Sequence, residues 1–405
     1  MILTNCACCA APLPLLAKQC SRCKTRYCGQ ACQEQHWKEG GHDKICKKIK
    51  RGGGAEQYYA DKNYKEAVAV AVEQCAEDTK GQTCYICTEV VHGRTGEGIV
   101  RMCACHTTEG FAHVSCLVEQ AKVLNDEAEE NNLEPQPRWA RWSTCGLCEQ
   151  DYRGVVGCAL GWACWKTYVS RPEEDNIRRN AMTTLGCGLA HVARHEERLR
   201  VLEAQLATSV RFNPSERSVI IAWSNIANCY NQLGRQEKAL AVRRDIYANS
   251  LVVTHWSEDQ KIIYVLNLSK SLLDTKRYAE AKAFLREQVP KALRALHAEH
   301  RTYMSLRWNY ATAICATDGA SQGDLVEATT MFDELTQMTR RIYGSAHPLT
   351  EEIQARRRAC APSGEASRRH WEVTKQVITT STPTRNLQLH LLRLARPEGP
   401  PRRSQ

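Results

Sequence analysis

Cysteine is the residue with the clearest chemical potential in this chain, and its spacing is regular. Of the 22 cysteines, 16 lie between Cys6 and Cys148, most of them in closely spaced pairs with histidines at fixed offsets. Thiolate and imidazole groups in such pairs are ligands of tetrahedral Zn²⁺, whereas a disulfide framework requires no histidine. Residues 1–17 also lack the basic and apolar regions of a secretory signal. We therefore expect zinc sites and a reducing compartment.

The first ligand group occupies residues 6–46. Its eight residues are Cys6, Cys9, Cys20, Cys23, Cys28, Cys32, His42 and Cys46. A two-residue gap lets both sulfurs of a tight turn face one metal, and a three-residue gap places two ligands on one face of a short helix. Eight ligands make two tetrahedral sites, whose metal would drive the folding of so small a segment. Cys8 and His36 are the alternative ligands.

The stretch TRYCGQACQEQHWKEGGHDKIC, which ends at Cys46, resembles the MYND-type zinc finger. The resemblance covers residues 5–46 and implies that the two sites interleave. It places Cys6, Cys9, Cys28 and Cys32 at one zinc, and Cys20, Cys23, His42 and Cys46 at the other. MYND fingers are protein-interaction modules that often bind proline-containing peptides. The alternative is a finger with a structural role alone.

A second ligand group follows in residues 84–148. Its members are Cys84, Cys87, Cys103, Cys105, His113, Cys116, Cys145 and Cys148. The seven-residue gap between Cys105 and His113 resembles the RING-CH pattern of some ubiquitin ligases, and His106 is an alternative ligand. The resemblance implies a second cross-brace. One site would contain Cys84, Cys87, His113 and Cys116, and the other Cys103, Cys105, Cys145 and Cys148.

The RING-CH resemblance raises the question of ligase activity. RING fingers bind a charged ubiquitin-conjugating enzyme and perform no covalent chemistry themselves. Ile86 matches the apolar residue that usually contacts the conjugating enzyme. Gln120 stands where the family often has Trp, and Glu149 where many active members have a basic residue. The sequence leaves both a ligase and a non-catalytic finger open, and no residue is expected to be catalytic.

A 42-residue period runs through the second half of the chain. Asn225, Asn267 and Asn309 recur at this interval, and Ala239 and Ala281 share it. Such a period is typical of stacked helical hairpins. The pattern resembles tetratricopeptide (TPR) repeats of the kinesin-light-chain-like type, which implies a peptide-binding groove. The recurring Asn residues either line that groove or bond between helices.

These patterns predict a mostly α chain with two small cross-braced zinc fingers, an α-helical repeat solenoid and a disordered tail. The expected segments are a MYND-type finger (5–46), a helical linker (51–83) with a turn at 61–63, a RING-CH-like finger (84–150), a docking helix (151–172), TPR-like repeats (173–358) and a basic disordered tail (359–405). The isolated later cysteines, such as Cys187, Cys229 and Cys315, are expected to be packing thiols.

Charge and composition argue against several function classes. The formal net charge is +10, but the tail 355–405 holds 11 basic and only three acidic residues, so about +8 of it lies in the tail. Fourteen zinc-bound thiolates with four Zn²⁺ ions would add about −6, which leaves about +4 on the loaded protein. We infer no nucleic-acid partner. The apolar part of residues 154–169 is too short to span a bilayer. No nucleophile–base set, phosphate loop or dinucleotide fingerprint is present.

The sequence therefore favours an intracellular protein-interaction scaffold that holds about four zinc ions. The MYND finger and the repeat groove would bind proteins or peptides. The alternative is a RING-CH-type ubiquitin ligase, in which the second finger recruits a ubiquitin-conjugating enzyme and the repeats select the substrate. We expect a cytoplasmic location, with the nucleus as the alternative, and no membrane partner.

Overall fold

The computed structural model describes most of the chain up to Cys360. The described residues are 5–11, 13, 17–103, 105, 110–134, 136–212, 216–252 and 256–360. They are mostly helical, as the sequence predicts, and fall into two compact units that part between Arg235 and Gln236, inside the predicted repeat segment. Residues 361–405 of the predicted disordered tail lie outside the described part. The first two residues of that predicted tail end a helix.

The first Cys/His-rich segment consists of one short β-hairpin and two short helices. Its elements are β1 (Lys18–Gln19), β2 (Arg26–Tyr27), α1 (Gln30–Lys38) and α2 (His42–Arg51). Among the described residues, the apolar core cluster of this segment and the start of the next helix consists of four cysteines with Tyr27, Ile49 and Ala55. An apolar core this small buries too little surface to stabilise a fold without further cross-links.

A single long helix, α3 (Ala55–Cys75), joins the two Cys/His-rich segments. The turn expected at residues 61–63 is absent, since α3 is continuous through them. The side-chain amide of Asn63 donates a hydrogen bond to the carbonyl of Tyr59, one turn earlier, at 2.8 Å. Because the Asn63 amide is hydrogen-bonded within the helix, it does not compete with the helical backbone, and the helix continues.

The second Cys/His-rich segment has a different arrangement. Its elements are β3 (Val100–Arg101), β4 (Phe111–Ala112), α4 (Val114–Glu130) and α5 (Gln136–Trp139). A short 3₁₀ turn over Ala140–Trp142 precedes the last pair of ligands. The long gap between Cys116 and Cys145 is filled mainly by α4.

The predicted docking helix forms the most buried part of the first unit. It is α6 (Gly154–Tyr168), and it packs against α3, α4 and α7 (Asn176–His191). The two backbones of α6 and α7 touch, because a Cβ added at Gly188 would lie 2.7 Å from the carbonyl oxygen of Gly157. The apolar, tryptophan-rich sequence of α6 thus marks a core helix, and no helix among the described residues is long and apolar enough to cross a membrane.

A buried arginine ties α7 to the linker helix. The Arg178 guanidinium pairs with the Glu56 carboxylate at 2.8 Å and lies 5.1 Å from the ring centroid of Trp165. It also donates hydrogen bonds to the carbonyls of Val169 and Arg171. Three of its five N–H donors thus find acceptors, which offsets part of the cost of burying the charge.

The remaining helices follow one another as hairpins. In the first unit they are α8 (His195–Phe212) and α9 (Glu216–Gln232). In the second unit they are α10 (Gln236–Val252), α11 (Glu258–Asp274), α12 (Tyr278–Ala295), α13 (Arg301–Ala316), α14 (Gln322–Tyr343) and α15 (Pro348–Cys360). Each helix of the second unit packs against the next, and α13 also packs against α11 and α15. This arrangement is repeat-like, as the 42-residue period predicts.

Polar contacts between successive hairpins hold the second unit together. The Asn309 side-chain amide donates to the Ser269 hydroxyl at 2.9 Å, which joins α13 to α11. Lys282 and Asp324, which are 42 residues apart, form an ion pair of 2.6 Å. For Asn309, the alternative in which the recurring asparagines bond between helices therefore holds.

One cysteine prediction is wrong. Cys315 was expected to be a packing thiol, but it forms a disulfide with Cys360, with Cα atoms 5.5 Å apart. Cys315 lies near the end of α13 and Cys360 is the last residue of α15, so the bond joins two helices that already pack together. No spacing signal indicated this bond, because the two cysteines are 45 residues apart.

Candidate metal centres

The sixteen predicted ligands come together in four groups of four. The groups are Cys6, Cys9, Cys28 and Cys32; Cys20, Cys23, His42 and Cys46; Cys84, Cys87, His113 and Cys116; and Cys103, Cys105, Cys145 and Cys148. Within each group, the ligand atoms lie within 4.8 Å of one another. Both segments interleave their ligands, so each group draws on two distant stretches of chain. Four Cys/His groups can therefore each hold one metal ion.

The distances within the groups fit a tetrahedral metal. At a Zn–S bond of about 2.3 Å, the edge of a tetrahedron is about 3.8 Å. The Sγ–Sγ distances are 3.6 Å for Cys9 and Cys28, 3.8 Å for Cys20 and Cys46, and 3.6 Å for Cys103 and Cys145. A disulfide would require about 2.05 Å. The sulfurs are therefore spaced as ligands around a shared centre.

All four two-residue cysteine pairs adopt the same turn. The residue after each pair has a positive φ: 58° at Ala10, 64° at Lys24, 64° at Thr88 and 56° at Glu149. Its backbone N–H donates to the carbonyl of the first cysteine of the pair, at 2.8–3.1 Å. None of these residues is Gly or Asn, the types that favour positive φ, so no sequence signal identified the conformation.

These turns direct backbone donors at the sulfurs. One thiol in each group has a pKa below its usual value: Cys6, Cys20, Cys84 and Cys148. Burial raises the pKa of Cys6, but backbone N–H groups, foremost that of Cys9, outweigh it and lower the pKa to about 6. At Cys20 and Cys84, burial likewise raises the thiol pKa, and backbone hydrogen bonds outweigh it and lower the pKa. At Cys148, the backbone N–H of Gln150 contributes most to lowering the pKa. A lower thiol pKa favours the thiolate form, which is the form that binds a metal.

The two histidines use different ring nitrogens. In the first segment, His42 places Nε2 3.4 Å from Cys23 Sγ, and its buried Nδ1 has no hydrogen-bond partner among the described residues. In the second segment, His113 places Nδ1 3.3 Å from Cys87 Sγ, and its Nε2 lies 3.3 Å from the Val90 carbonyl. A carbonyl at the second nitrogen is a usual way to orient a ligating histidine.

The alternative ligands of the first segment lie outside its groups. Cys8 Sγ lies 3.4 Å from the side-chain oxygen of Gln35. The His36 Nδ1 lies 3.0 Å from the Tyr27 hydroxyl, and its ring stacks on His42 at a centroid distance of 5.1 Å. His36 thus lies beside a candidate ligand without joining its group. His106, the alternative in the second segment, is outside the described residues.

Two charged residues that the sequence did not single out hold the second segment in shape. Glu97 accepts hydrogen bonds from the backbone N–H and the hydroxyl of Ser115, in the first turn of α4. The Arg101 guanidinium donates to the carbonyls of Cys103 and Cys105, at 3.0 and 2.8 Å. Each residue therefore holds the backbone next to candidate ligands in place. The sequence could not single them out, because a lone Glu or Arg belongs to no recognisable motif.

Apolar side chains project from the metal-binding turns of the second segment. Ile86, inside the first cysteine pair, is 38% exposed, and Leu147, inside the last pair, is 51% exposed. Val90 and Val91 follow Ile86 in the same loop and are also exposed. Among the described residues of the first segment, Trp37, on α1, is an exposed large apolar side chain. Exposed aliphatic side chains on both turns are available for a partner.

Comparisons with known proteins relate this chain to solved structures alone. No protein-family model matches it, and no curated protein matches it. Two solved structures of TPR-like repeats from Podosopora anserina, assigned as a kinesin light chain, are 14% identical and cover 57% of this chain. For the first structure, a variant with one substitution, the match includes 97% of that protein's length and has a TM-score of 0.40. For the second structure, the match includes 98% of its length and has a TM-score of 0.39.

Proposed function

We propose that this protein is a zinc-dependent scaffold that binds protein partners through a MYND-type finger and a TPR-like repeat segment. The observation that carries the proposal is the set of four tetrahedrally spaced Cys/His groups ahead of stacked helical hairpins. Closed four-ligand sites of sulfur and imidazole are typical of structural zinc, since they leave no open position for a substrate. Stacked hairpins present extended surfaces that suit peptide binding. A cytoplasmic or nuclear location is part of this proposal.

The first test is metal content and peptide binding by the full chain. Elemental analysis should find about four zinc ions per chain. Proline-containing peptides, presented on an array, should bind the wild-type protein. They should lose binding to Cys46→Ser, in which one group of the first finger is incomplete, and keep it with Cys187→Ser, which changes a cysteine outside the four groups. A protein with all its zinc that binds no peptide would contradict the scaffold.

The second candidate is a RING-CH-type ubiquitin ligase. It is favoured by the exposed Ile86 and Leu147 on the two metal-binding turns of the second finger, with Val90 and Val91 beside Ile86. A conjugating enzyme would dock on these aliphatic side chains, and zinc would act only by holding the turns. Gln120 and Glu149 remain departures from the ligase pattern; the Gln120 side-chain oxygen accepts a hydrogen bond from the Tyr85 hydroxyl at 3.4 Å.

Ubiquitin discharge separates the two candidates. The assay follows loss of ubiquitin from a panel of charged conjugating enzymes, with zinc content measured on each protein. A ligase should accelerate discharge, Ile86→Ala and Leu147→Ala should abolish the acceleration, and Val123→Ala, an exposed valine on α4, should leave it intact. No acceleration with any enzyme would leave the scaffold as the function.

A further inference from the structure

Helix α2 has two opposite faces of different character. One face is buried and carries His42, Cys46 and Ile49. The other is exposed and strongly basic. Its cations are Lys44, Lys47, Lys48 and Arg51, with Lys50 beside them. The first four are spaced i, i+3, i+4 and i+7, so they form one stripe along the helix.

None of these five cations forms an ion pair with a carboxylate among the described residues. Asp43 is the sole acidic residue of α2, and the Lys48 ammonium lies 6.0 Å from the Tyr58 ring centroid. Elsewhere in the first unit, exposed cations reach acidic groups on neighbouring elements, as in the pair of Arg171 with Glu129 at 2.9 Å. The basic stripe of α2 is therefore an unneutralised surface.

Helix stability does not account for the whole stripe. Cations in the last turn of a helix interact favourably with its dipole, which explains Lys50 and Arg51. Lys44 lies in the first turn, where the dipole disfavours a positive charge. Five neighbouring cations also repel one another. An anionic partner would relieve both costs.

We propose that the basic stripe of α2 binds an acidic peptide segment of a partner protein. The stripe runs over eight residues, from Lys44 to Arg51, or about 10 Å of helix, which matches about three residues of an extended chain. Trp37 lies near the N-terminal end of α2, since its ring is 5.7 Å from that of His42, the first residue of the helix. This indole is 40% exposed. The proposal rests on the proposed function of the first finger and names the chemistry of its partner.

The size of the surface favours a peptide over a nucleic acid. Proteins that bind single strands through charge and stacking use long basic grooves with several aromatic side chains, over about 4–16 nucleotides. Here the stripe lies on one helix of ten residues, and the aromatic side chains near this helix are Tyr58, whose ring centroid lies 6.0 Å from the Lys48 ammonium, and Trp37, near the helix N-terminus. A short acidic segment with one apolar residue fits this footprint.

The test is fluorescence anisotropy with the zinc-loaded full chain. One probe is a short fluorescein-labelled peptide in which Asp and Glu flank a Pro-Leu pair, and its partner probe has Asn and Gln in their place. The test variant is Lys47→Glu with Lys48→Glu. The matched control is Lys65→Glu with Lys122→Glu, which changes the net charge equally at exposed positions on α3 and α4.

The acidic peptide should bind at least about tenfold more tightly than the neutral one, and the advantage should shrink as salt is raised. Lys47→Glu with Lys48→Glu should abolish the advantage, and the control should keep it. Equal binding of both peptides would overturn the proposal while leaving the proposed function intact. If neither peptide binds, the result contradicts this proposal and the proposed function alike. Tighter binding of a single-stranded oligonucleotide that displaces the acidic peptide would overturn the proposal in favour of a nucleic-acid site.

Discussion

The Glu97 carboxylate caps the helix that follows a candidate metal ligand. Ser115 donates its backbone N–H to Glu97 Oε1 at 2.6 Å and its hydroxyl to Glu97 Oε2 at 2.7 Å. Ser115 lies between His113 and Cys116, both members of one Cys/His group. A carboxylate at a helix N-terminus satisfies free N–H groups and interacts favourably with the helix dipole. The loop that carries Glu97 is thereby joined to the metal centre.

We expect Glu97→Ala to weaken metal binding at this centre. Loss of a helix cap costs about 0.5–2 kcal/mol, so zinc affinity should fall by about twofold to thirtyfold. Competition with a chromophoric chelator measures the affinity. Glu89→Ala, an exposed acid in the same segment, is the control and should be neutral. Equal affinities for Glu97→Ala and wild type would show that the cap has no part in holding the ligands.

The two groups of the first finger differ in exposure, and this predicts the order in which they lose metal. Cys9 and Cys28 are exposed, whereas all four residues of the group containing His42 are buried. An oxidant must reach a sulfur to oxidise it. Limited hydrogen peroxide should therefore release zinc first from the group with Cys9 and Cys28. Zinc release, read with a metal-sensitive dye, should coincide with oxidation of these cysteines in peptide mass maps.

The reverse order, with Cys20 or Cys23 oxidised first, would contradict this prediction. The sulfurs of the buried group are shielded from the oxidant only while α2, which carries His42 and Cys46, stays in place. A chelator applied before the peroxide removes that protection, so all seven cysteine ligands of the finger should then react together.

The pKa of Asp324 predicts how α14 responds to acid. Hydrogen bonds from Lys282 and from Ser321 lower this pKa from 3.8 to about 2. A folded pKa below the ordinary value means that the carboxylate contributes stability above about pH 4, and that this contribution is lost as the pH falls towards about 2. Asp324→Asn should thus speed amide exchange in the first turn of α14 at neutral pH several-fold.

The difference between Asp324→Asn and wild type should vanish near pH 2, where the wild-type carboxylate is itself protonated. Asp318→Asn, an exposed aspartate in the loop before α14, is the control and should exchange like wild type. A difference that persists unchanged into acid would mean that the ion pair with Lys282 has no role in it.

The disulfide between Cys315 and Cys360 should stabilise the second unit. The two cysteines are 45 residues apart, and for a loop of this length the chain-entropy account gives about 4 kcal/mol. Cys315→Ser should lower the free energy of unfolding of this unit by about that amount in urea. A non-thiol reductant should destabilise the wild-type protein equally and leave Cys315→Ser unchanged. An intact mass that shows both thiols free in the oxidised protein would contradict the prediction.

The sequence predicted the local features of the candidate sites well. Two-residue gaps, as in Cys84–Cys87, fix both sulfurs on one turn whatever the rest of the chain does, since the constraint is purely local. The spacing of His42 and Cys46 likewise predicted two ligands on one helical face, and α2 carries both. The 42-residue period predicted stacked hairpins, because each hairpin must bury the same face against its neighbour.

Contacts between distant residues required the tertiary structure. The backbone bonds from Arg101 to Cys103 and Cys105, and the cap of α4 by Glu97, depend on the path of loops with no periodic signal. The repeat pattern left two roles open for Asn309, and only the packing of α13 on α11 placed it against Ser269.

The sequence by itself determined which residues can be ligands and that helices stack in the second half of the chain. The fold brought together the four ligand groups that the resemblances had implied, and it decided that Cys315 meets Cys360 and that the basic face of α2 forms no ion pair among the described residues. The reason is physical: spacing of a few residues acts through one turn of backbone, whereas meetings across tens of residues depend on how whole elements pack.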